Sequence, residues 1–529
     1  MIPISWKSLL SMTVLPNIVL AYTWPNPQLD ELESQRYDRH GYNSRALSAG
    51  VSPCKNFLFG DTAGRANAAD WIRTAYHDMA THNIVDGTGG LDASIRFEED
   101  RAENAGDGFH LTLLVLTGES NRYASLADVL ALGAITAIEQ CGGPKISFRG
   151  GRVDATVANN PGVPEPQQDL ASHIAAFTRQ GFTKSEMIGL VACGHTFGGV
   201  QHDPFPNIVP ESNDPNNTSG NVRFDSTFVT FDNKIATEFL DGTTGNPLVV
   251  GPEETNSDKR IFASDGNVTM SSFADAAVFA STCADLFARM LDTVPRGVQL
   301  SEVIEPLPVK PQGVYLLLLE DGSIQLNGEV RFWNTSENPN RKIQIKWKDR
   351  NGNPCDGCSK AIGHTIDQVS TFVANNEETT SVWYSFNQSA TEFVTFDQHS
   401  SISKFWFEVD EGSGAQVADQ NGASFEIQDV VMLADSSCRI TSNLTLDIAI
   451  RKDVIPSRVY LKADDFANLA PFMRTIDVPP PASTSGGDSY NIWSISDTSL
   501  NRGWTIAVDV GDKTYETAYL QHHVFGTCS

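Results

Sequence analysis

Apolar positions recur at helical spacing through the first part of the chain and at strand spacing through the second. Between residues 66 and 80, Trp71, Ile72, Ala75 and Tyr76 gather on one side of a helical turn, which predicts a helix there. Residues 125–140 predict another. Ser125 and Asp128 stand three apart at its start, as in a capping box, and Gly142 and Gly143 end it. Thr183 and Glu186 open a third helix over 183–194 in the same way, and 271–291 reads as a fourth. After the cluster Pro306, Pro308 and Pro311 the pattern changes to short alternating segments: 324–333, 342–348, 381–386, 404–409 and 505–510. They are rich in β-branched and aromatic residues and are separated by Gly, Asn and Asp. The chain therefore reads as a mainly α domain over 22–305 followed by an all-β, sandwich-like domain over 306–529. The Pro-Ser-Gly stretch at 479–487 reads as a loop or a second linker.

Composition adds class and compartment. A chain of 529 residues, 40% hydrophobic, has enough apolar side chains for more than one core. The formal charge of -27, from 65 acidic against 38 basic residues, disfavours nucleic acid and anionic membranes as partners. Lys7 followed by an apolar run over 9–21, ending in Val19-Leu20-Ala21, predicts an export signal over 1–21 and a mature chain beginning at Tyr22. The run is short and holds Pro16 and Asn17, which argues against a membrane anchor. Sequons at Asn216, Asn217, Asn267, Asn334, Asn387 and Asn443, and an even count of eight cysteines, agree with a secreted, disulfide-bonded protein. Spacing alone leaves the cysteine connectivity open.

Two short constellations carry chemistry. Arg73 and His77, four residues apart, share one helical face. An imidazole can be neutral near physiological pH and move a proton, and a guanidinium stays charged and can stabilise a developing anion. Such a pair is common by chance, and so is a lone histidine such as His195 at a helix end. Cys355-Asp356-Gly357-Cys358 reads as structural rather than redox or zinc-binding, and His522-His523 as an exposed edge. Trp333, Trp347, Trp383, Tyr384, Trp406, Trp493 and Trp504 could in principle stack on a sugar, but alternating aromatics in a sandwich are more often core.

Taken in order, a series of motifs resembles the plant-type haem peroxidase superfamily over about residues 54–291. They are Arg73-x-x-Tyr76-His77-Asp78, Gly90-Leu91-Asp92-Ala93-Ser94, Arg96-Phe97-Glu98 and Glu103-Asn104-Ala105-Gly106, then Ser125-Leu126-Ala127-Asp128 and Gly151-Arg152-x-Asp154-Ala155, and finally Gly194-His195-Thr196-Phe197-Gly198 and Phe231-Asp232-Asn233. The resemblance implies haem b with His195 as the axial iron ligand and Asp265 accepting its other N–H. It implies His77 as the acid-base residue toward hydrogen peroxide, Arg73 as charge stabiliser, and Glu98 and Asn104 as the relay that orients His77. Tyr76, Phe224 and Pro164 are placed around the haem, the last at its edge. The family chemistry passes through a ferryl species that two one-electron donors reduce.

Two calcium ions are also implied. The distal set is Asp78, Gly90, Asp92 and Ser94, and the proximal set is Thr196, Asp225, Thr227, Thr230 and Asp232. Cys54 and Cys141 are implied to pair, while Cys193 is either buried and free or paired with Cys283. Departures from family patterns narrow the donor. Tyr76 stands where catalase-peroxidases depend on Trp, Phe224 where cytochrome c peroxidase carries its radical Trp, and Leu190 where lignin peroxidases expose a Trp. No acidic triad for manganese is found. The expectation is a secreted monomeric peroxidase oxidising phenols or aromatic amines, with cell-wall polysaccharide as a candidate partner of the β domain. The alternatives are a cytochrome c peroxidase-like enzyme and a non-catalytic polysaccharide- or partner-binding protein.

Overall fold

A computed structural model describes residues 17–19, 25–41, 46–60, 63–363, 369–387, 392–420, 422–440, 443–481, 488–497, 500, 502–520 and 526–528. Lys7, most of the apolar leader run, the cleavage position, residues 482–487 and His522-His523 lie outside them. The expected helices form at Asn67–Met79, Leu126–Gln140 and Lys184–Gly194. Thr183 and Glu186 make the complete capping box, each side chain satisfying a backbone N–H at the other end. At Ser125 only the hydroxyl half is made, accepting from the Asp128 amide at 3.0 Å.

The expected fourth helix divides into Val268–Ser272 and Ala276–Leu291. Asp275 causes the break, because its carboxylate accepts from the amides of Ala277 and Val278 and so caps a new start. Leu126–Gln140 is buried almost throughout and runs through the centre of the helical core. Cys54–Cys141 and Cys193–Cys283 pair across this half, and Cys355–Cys358 and Cys438–Cys528 pair in the β region, which leaves no cysteine free.

From Val309 onward the chain is strands. A nine-stranded sheet lies between two five-stranded ones. Its strand Val431–Ala434 is buried at every position, unlike a strand with one face in solvent. Met432 and Ala434 face one core with Phe405, Phe407 and Ile345, while Val431 and Leu433 face a second with Val459, Ile506 and Val508. Successive side chains point to opposite faces, so a strand covered on both sides reads as a continuous apolar run. The β region is thus two sandwiches sharing a sheet. Asn17–Val19 adds a parallel edge strand to Lys513–Glu516, and a cut before Tyr22 would remove it.

The two halves share buried surface. Phe372 and Ala374, on strand Val369–Ala374, belong to the helical core, and Trp333 packs on Tyr37 at 5.3 Å. The helix Pro27–Tyr37 turns Glu33 and Asp38 onto Arg331, a fully buried cation, and Lys310 adds a 2.7 Å bond to Glu33. Charges so buried are tolerated only when paired and hydrogen-bonded. All seven aromatics considered as a sugar platform are buried or half-buried, Trp383 and Trp504 completely.

Candidate active site

The helix Asn67–Met79 brings Arg73 and His77 to one wall of a cavity of about 560 Å³, and the end of Lys184–Gly194 brings His195 to another wall. Tyr76, Pro164, Leu190 and Phe224 also line it. On the first wall His77 Nδ1 lies 2.8 Å from Asn104 Oδ1. Asn104 Nδ2 donates to the Glu98 carbonyl at 3.0 Å, so the Asn104 oxygen must face the imidazole. Nδ1 therefore carries the proton and Nε2 presents its lone pair.

Glu98 serves this relay through its backbone. Its carboxylate instead accepts from the Asn159 amide at 2.7 Å and pairs with Arg101 at 3.0 Å. Burial, and then the nearby Arg73 charge, push His77 down to about 3, so the imidazole is neutral. The Arg73 guanidinium sits over the Phe109 ring at 4.3 Å and donates to the Ala105 carbonyl at 3.0 Å. Burial pushes it down to about 10, and it remains a cation. The Tyr76 side chain stacks on Phe177 at 6.0 Å.

On the opposite wall the structure corrects one expectation. Asp265 does not reach His195: its carboxylate accepts from the Thr269 hydroxyl at 2.6 Å and the Thr269 amide at 3.0 Å, holding the turn before Val268–Ser272. The partner of His195 is Asp258, whose Oδ2 accepts from Nδ1 at 2.8 Å. Asp258 opens the helix Ser257–Phe262 and is fully buried, whereas Asp265 lies past the end of that helix. Phe224 stacks flat on the His195 ring at 4.2 Å and 11°. With Nδ1 donating to a carboxylate, Nε2 of His195 is left as a metal ligand. The cavity and this donor arrangement fit a haem.

The two expected calcium sets differ. In the distal set both Asp78 oxygens accept from the chain, from the amides of Asp92, Ala93 and Ile95. Asn159 Nδ2 lies 3.0 and 2.9 Å from the two Asp92 oxygens and 2.9 Å from Ser94 Oγ. Gly90 stays close, its amide donating to Thr81 Oγ1. The carboxylate oxygens are thus satisfied by protein donors.

In the proximal set Thr196 Oγ1 bonds the Asp232 carbonyl at 2.7 Å, the Thr227 amide bonds Asp225 Oδ1 at 2.9 Å, and the Thr230 amide bonds the Thr227 carbonyl at 2.7 Å. Asp225 Oδ2 is buried with no hydrogen-bond partner. Burial, with the Asp232 and Glu238 charges nearby, pushes Asp225 up to about 7. An orphaned buried carboxylate among hydroxyl and carbonyl oxygens fits a hard cation. Among the described residues no three His, Cys, Asp or Glu side chains form a metal-binding group, so such an ion would rest largely on hydroxyl and carbonyl oxygens.

Comparison with known proteins agrees with the geometry. Residues 58–285 match the family model described as Peroxidase. This part of the chain is a peroxidase-family domain. A WSC domain-containing protein of Arthroderma benhamiae is 42% identical over 353 residues, which cover 65% of this chain and 48% of that protein. The peroxisomal L-ascorbate peroxidase 5 of Arabidopsis thaliana is 31% identical over 176 residues, 33% of this chain and 58% of that enzyme. A mitochondrial cytochrome c peroxidase of Cryptococcus neoformans is 31% identical over 125 residues, 22% of this chain and 33% of that enzyme. The chain therefore spans about half the length of the first of these relatives and less than two thirds of the others.

Three residues of this site escape sequence reading: Asp258, Phe109 and Asn246, which donates to Asp258 at 2.8 Å. Several aspartates follow Phe224, and nothing local distinguishes Asp258 from Asp265.

Proposed function

We propose that the chain is an exported haem peroxidase that reduces hydrogen peroxide to water while oxidising small aromatic donors. The observation that carries this reading is the pair of oriented histidines on two walls of one cavity, His77 held by Asn104 and His195 held by Asp258. His195 would hold a haem, which would supply redox chemistry able to store the two oxidising equivalents of peroxide. The protein's own part is proton handling. His77 Nε2 takes a proton from peroxide entering the cavity and returns it to the departing oxygen, which leaves as water. Arg73 stabilises the negative charge that develops on that oxygen. Two donors then supply one electron each, and with two protons the second oxygen also becomes water.

Pro164 and Glu103 line the cavity, which suits a donor that enters it better than one that docks outside. Phe224 offers no indole to carry a radical toward a protein donor, which disfavours cytochrome c. The four disulfides, the sequons and the apolar leader support export. A cation on the proximal side follows from the orphaned Asp225 oxygen, whereas calcium on the distal side would have to displace the Asn159 amide. The seven aromatics weighed as a sugar platform are all buried or half-buried and lend a sugar-binding role for the β region no support.

The test is a stopped-flow absorption record of the purified chain mixed with peroxide, alongside His77→Leu. A Soret band that changes quickly in the parent and slowly in the variant is the expected result. A colourless chain, after expression with haem supplied, overturns the reading. Turnover of reduced cytochrome c in preference to a phenolic dye would overturn the donor assignment.

A further inference from the structure

The carboxylate behind His195 has a second donor. Asp258 Oδ2 receives His195 Nδ1 and, at the same 2.8 Å, Asn246 Nδ2. Asn246 is fully buried. Its Oδ1 accepts from the Leu248 amide at 2.8 Å and caps the short helix Pro247–Val250. That commitment fixes which end of the amide faces Asp258: the NH2 must. Phe224, stacked on the imidazole, has no donor to offer, and Asp258 Oδ1 has no partner. Among the described residues, His195 and Asn246 are the two side chains that donate to this carboxylate.

Two donors on one oxygen share its electron density. An oxygen that already accepts one hydrogen bond accepts a second less strongly, so Asp258 draws less on the His195 N–H than it would alone. A ligating histidine whose proton is held less strongly by its acceptor donates less electron density to its metal. We infer that Asn246 is a positioning residue that, through Asp258, limits the anionic character of His195 and so raises the reduction potential of the bound iron. This rests on the haem peroxidase reading above.

The experiment uses the full haem-loaded chain and compares the parent with Asn246→Ser, which can still cap Leu248 but is too short to reach Asp258, and with Asn246→Leu. Two readouts are taken, the ferrous iron–histidine stretch by resonance Raman and the ferric/ferrous midpoint potential. The expected result in both variants is a higher stretching frequency and an equilibrium shifted toward ferric iron by about tenfold, or about 59 mV for one electron. Asp258→Asn shifts both readouts in the opposite direction and sets their scale. Unchanged stretch and potential in Asn246→Ser, with haem bound, would overturn the inference. So would loss of haem from both Asn246 variants while Asp258→Asn keeps it, since Asn246 would then be a structural cap. A parent chain that binds no haem overturns the peroxidase reading itself, and the inference with it.

Discussion

The two walls of the cavity are built on opposite terms. On the wall of His77 nearly every polar atom is answered by the chain: Asn104 by Glu98, Asp78 by three amides, Asp92 by Asn159. On the wall of His195 two buried carboxylate oxygens, Asp225 Oδ2 and Asp258 Oδ1, have no partner. The first wall is preorganised to move a proton without rearranging charge. The second carries an excess of negative charge that a bound metal or cation would offset. Saturated hydrogen bonding marks the part of a site that works by geometry, and orphaned carboxylates mark the part completed by something added.

That contrast can be broken most forcefully at His77. His77→Leu should lower the rate of reaction with peroxide by roughly 10²- to 10⁴-fold while leaving haem content unchanged, as stopped-flow and pyridine haemochrome assays would read. A loss below tenfold would mean that the imidazole is not the proton carrier. Asn104→Val leaves the imidazole in place but removes the acceptor that sets its tautomer, and the expected loss is about 10- to 100-fold.

The added-ion half of the contrast is sharpened by metal exchange. Calcium restored to a chelator-treated chain should raise its thermal midpoint, by a stabilisation of about 2.7 kcal/mol at a hundredfold excess over Kd. Asp225→Ala should abolish that rise, and Asp92→Ala should leave most of it. The reverse pattern would show that the Asn159 amide gives way and the distal wall is the ion-dependent one.

The smallest effect concerns pH. His77 is held down to about 3 in the folded chain against an ordinary 6.5, so it remains a competent base as the solution becomes acidic. The peroxide rate should stay flat from neutral pH to about pH 4. Between 6.5 and about 3 the unfolded chain binds a proton at this position that the folded chain does not. Stability therefore falls as pH drops through that window. A rate that instead follows an ionisation near 6.5 would place His77 in water.

Much of the site was legible beforehand because its signals are local. Arg73 and His77 lie one helical turn apart, Thr183 and Glu186 announce the helix that ends at His195, and Asn104 follows Glu98 within a single loop. Alternation marks the strands at 324–333, 342–348, 381–386, 404–409 and 505–510, but not others such as Asn443–Arg451 and Arg458–Ala467, and Val431–Ala434 is an unbroken apolar run because it has two cores to fill rather than one. The division of 271–291 at Asp275 was legible in principle, as a capping residue inside an apolar stretch, but outweighed by the helical spacing around it.

What the sequence by itself determined is therefore the helical and strand halves, the shared face of Arg73 and His77 on the helix Asn67–Met79, and the place of His195 at the end of its own helix. Each depends on residues within about two turns of one another, where backbone geometry alone sets who meets whom. Only the tertiary structure decided which aspartate stands behind His195, which amide stands behind that aspartate, whether a cation cluster is already filled, and that Arg331 of the β region is buried on carboxylates of the first helix. Those contacts join elements distant in the chain. Their partners are chosen by packing, which orients Asp258 inward and leaves Asp265 holding a turn, and no spacing along the chain records that choice.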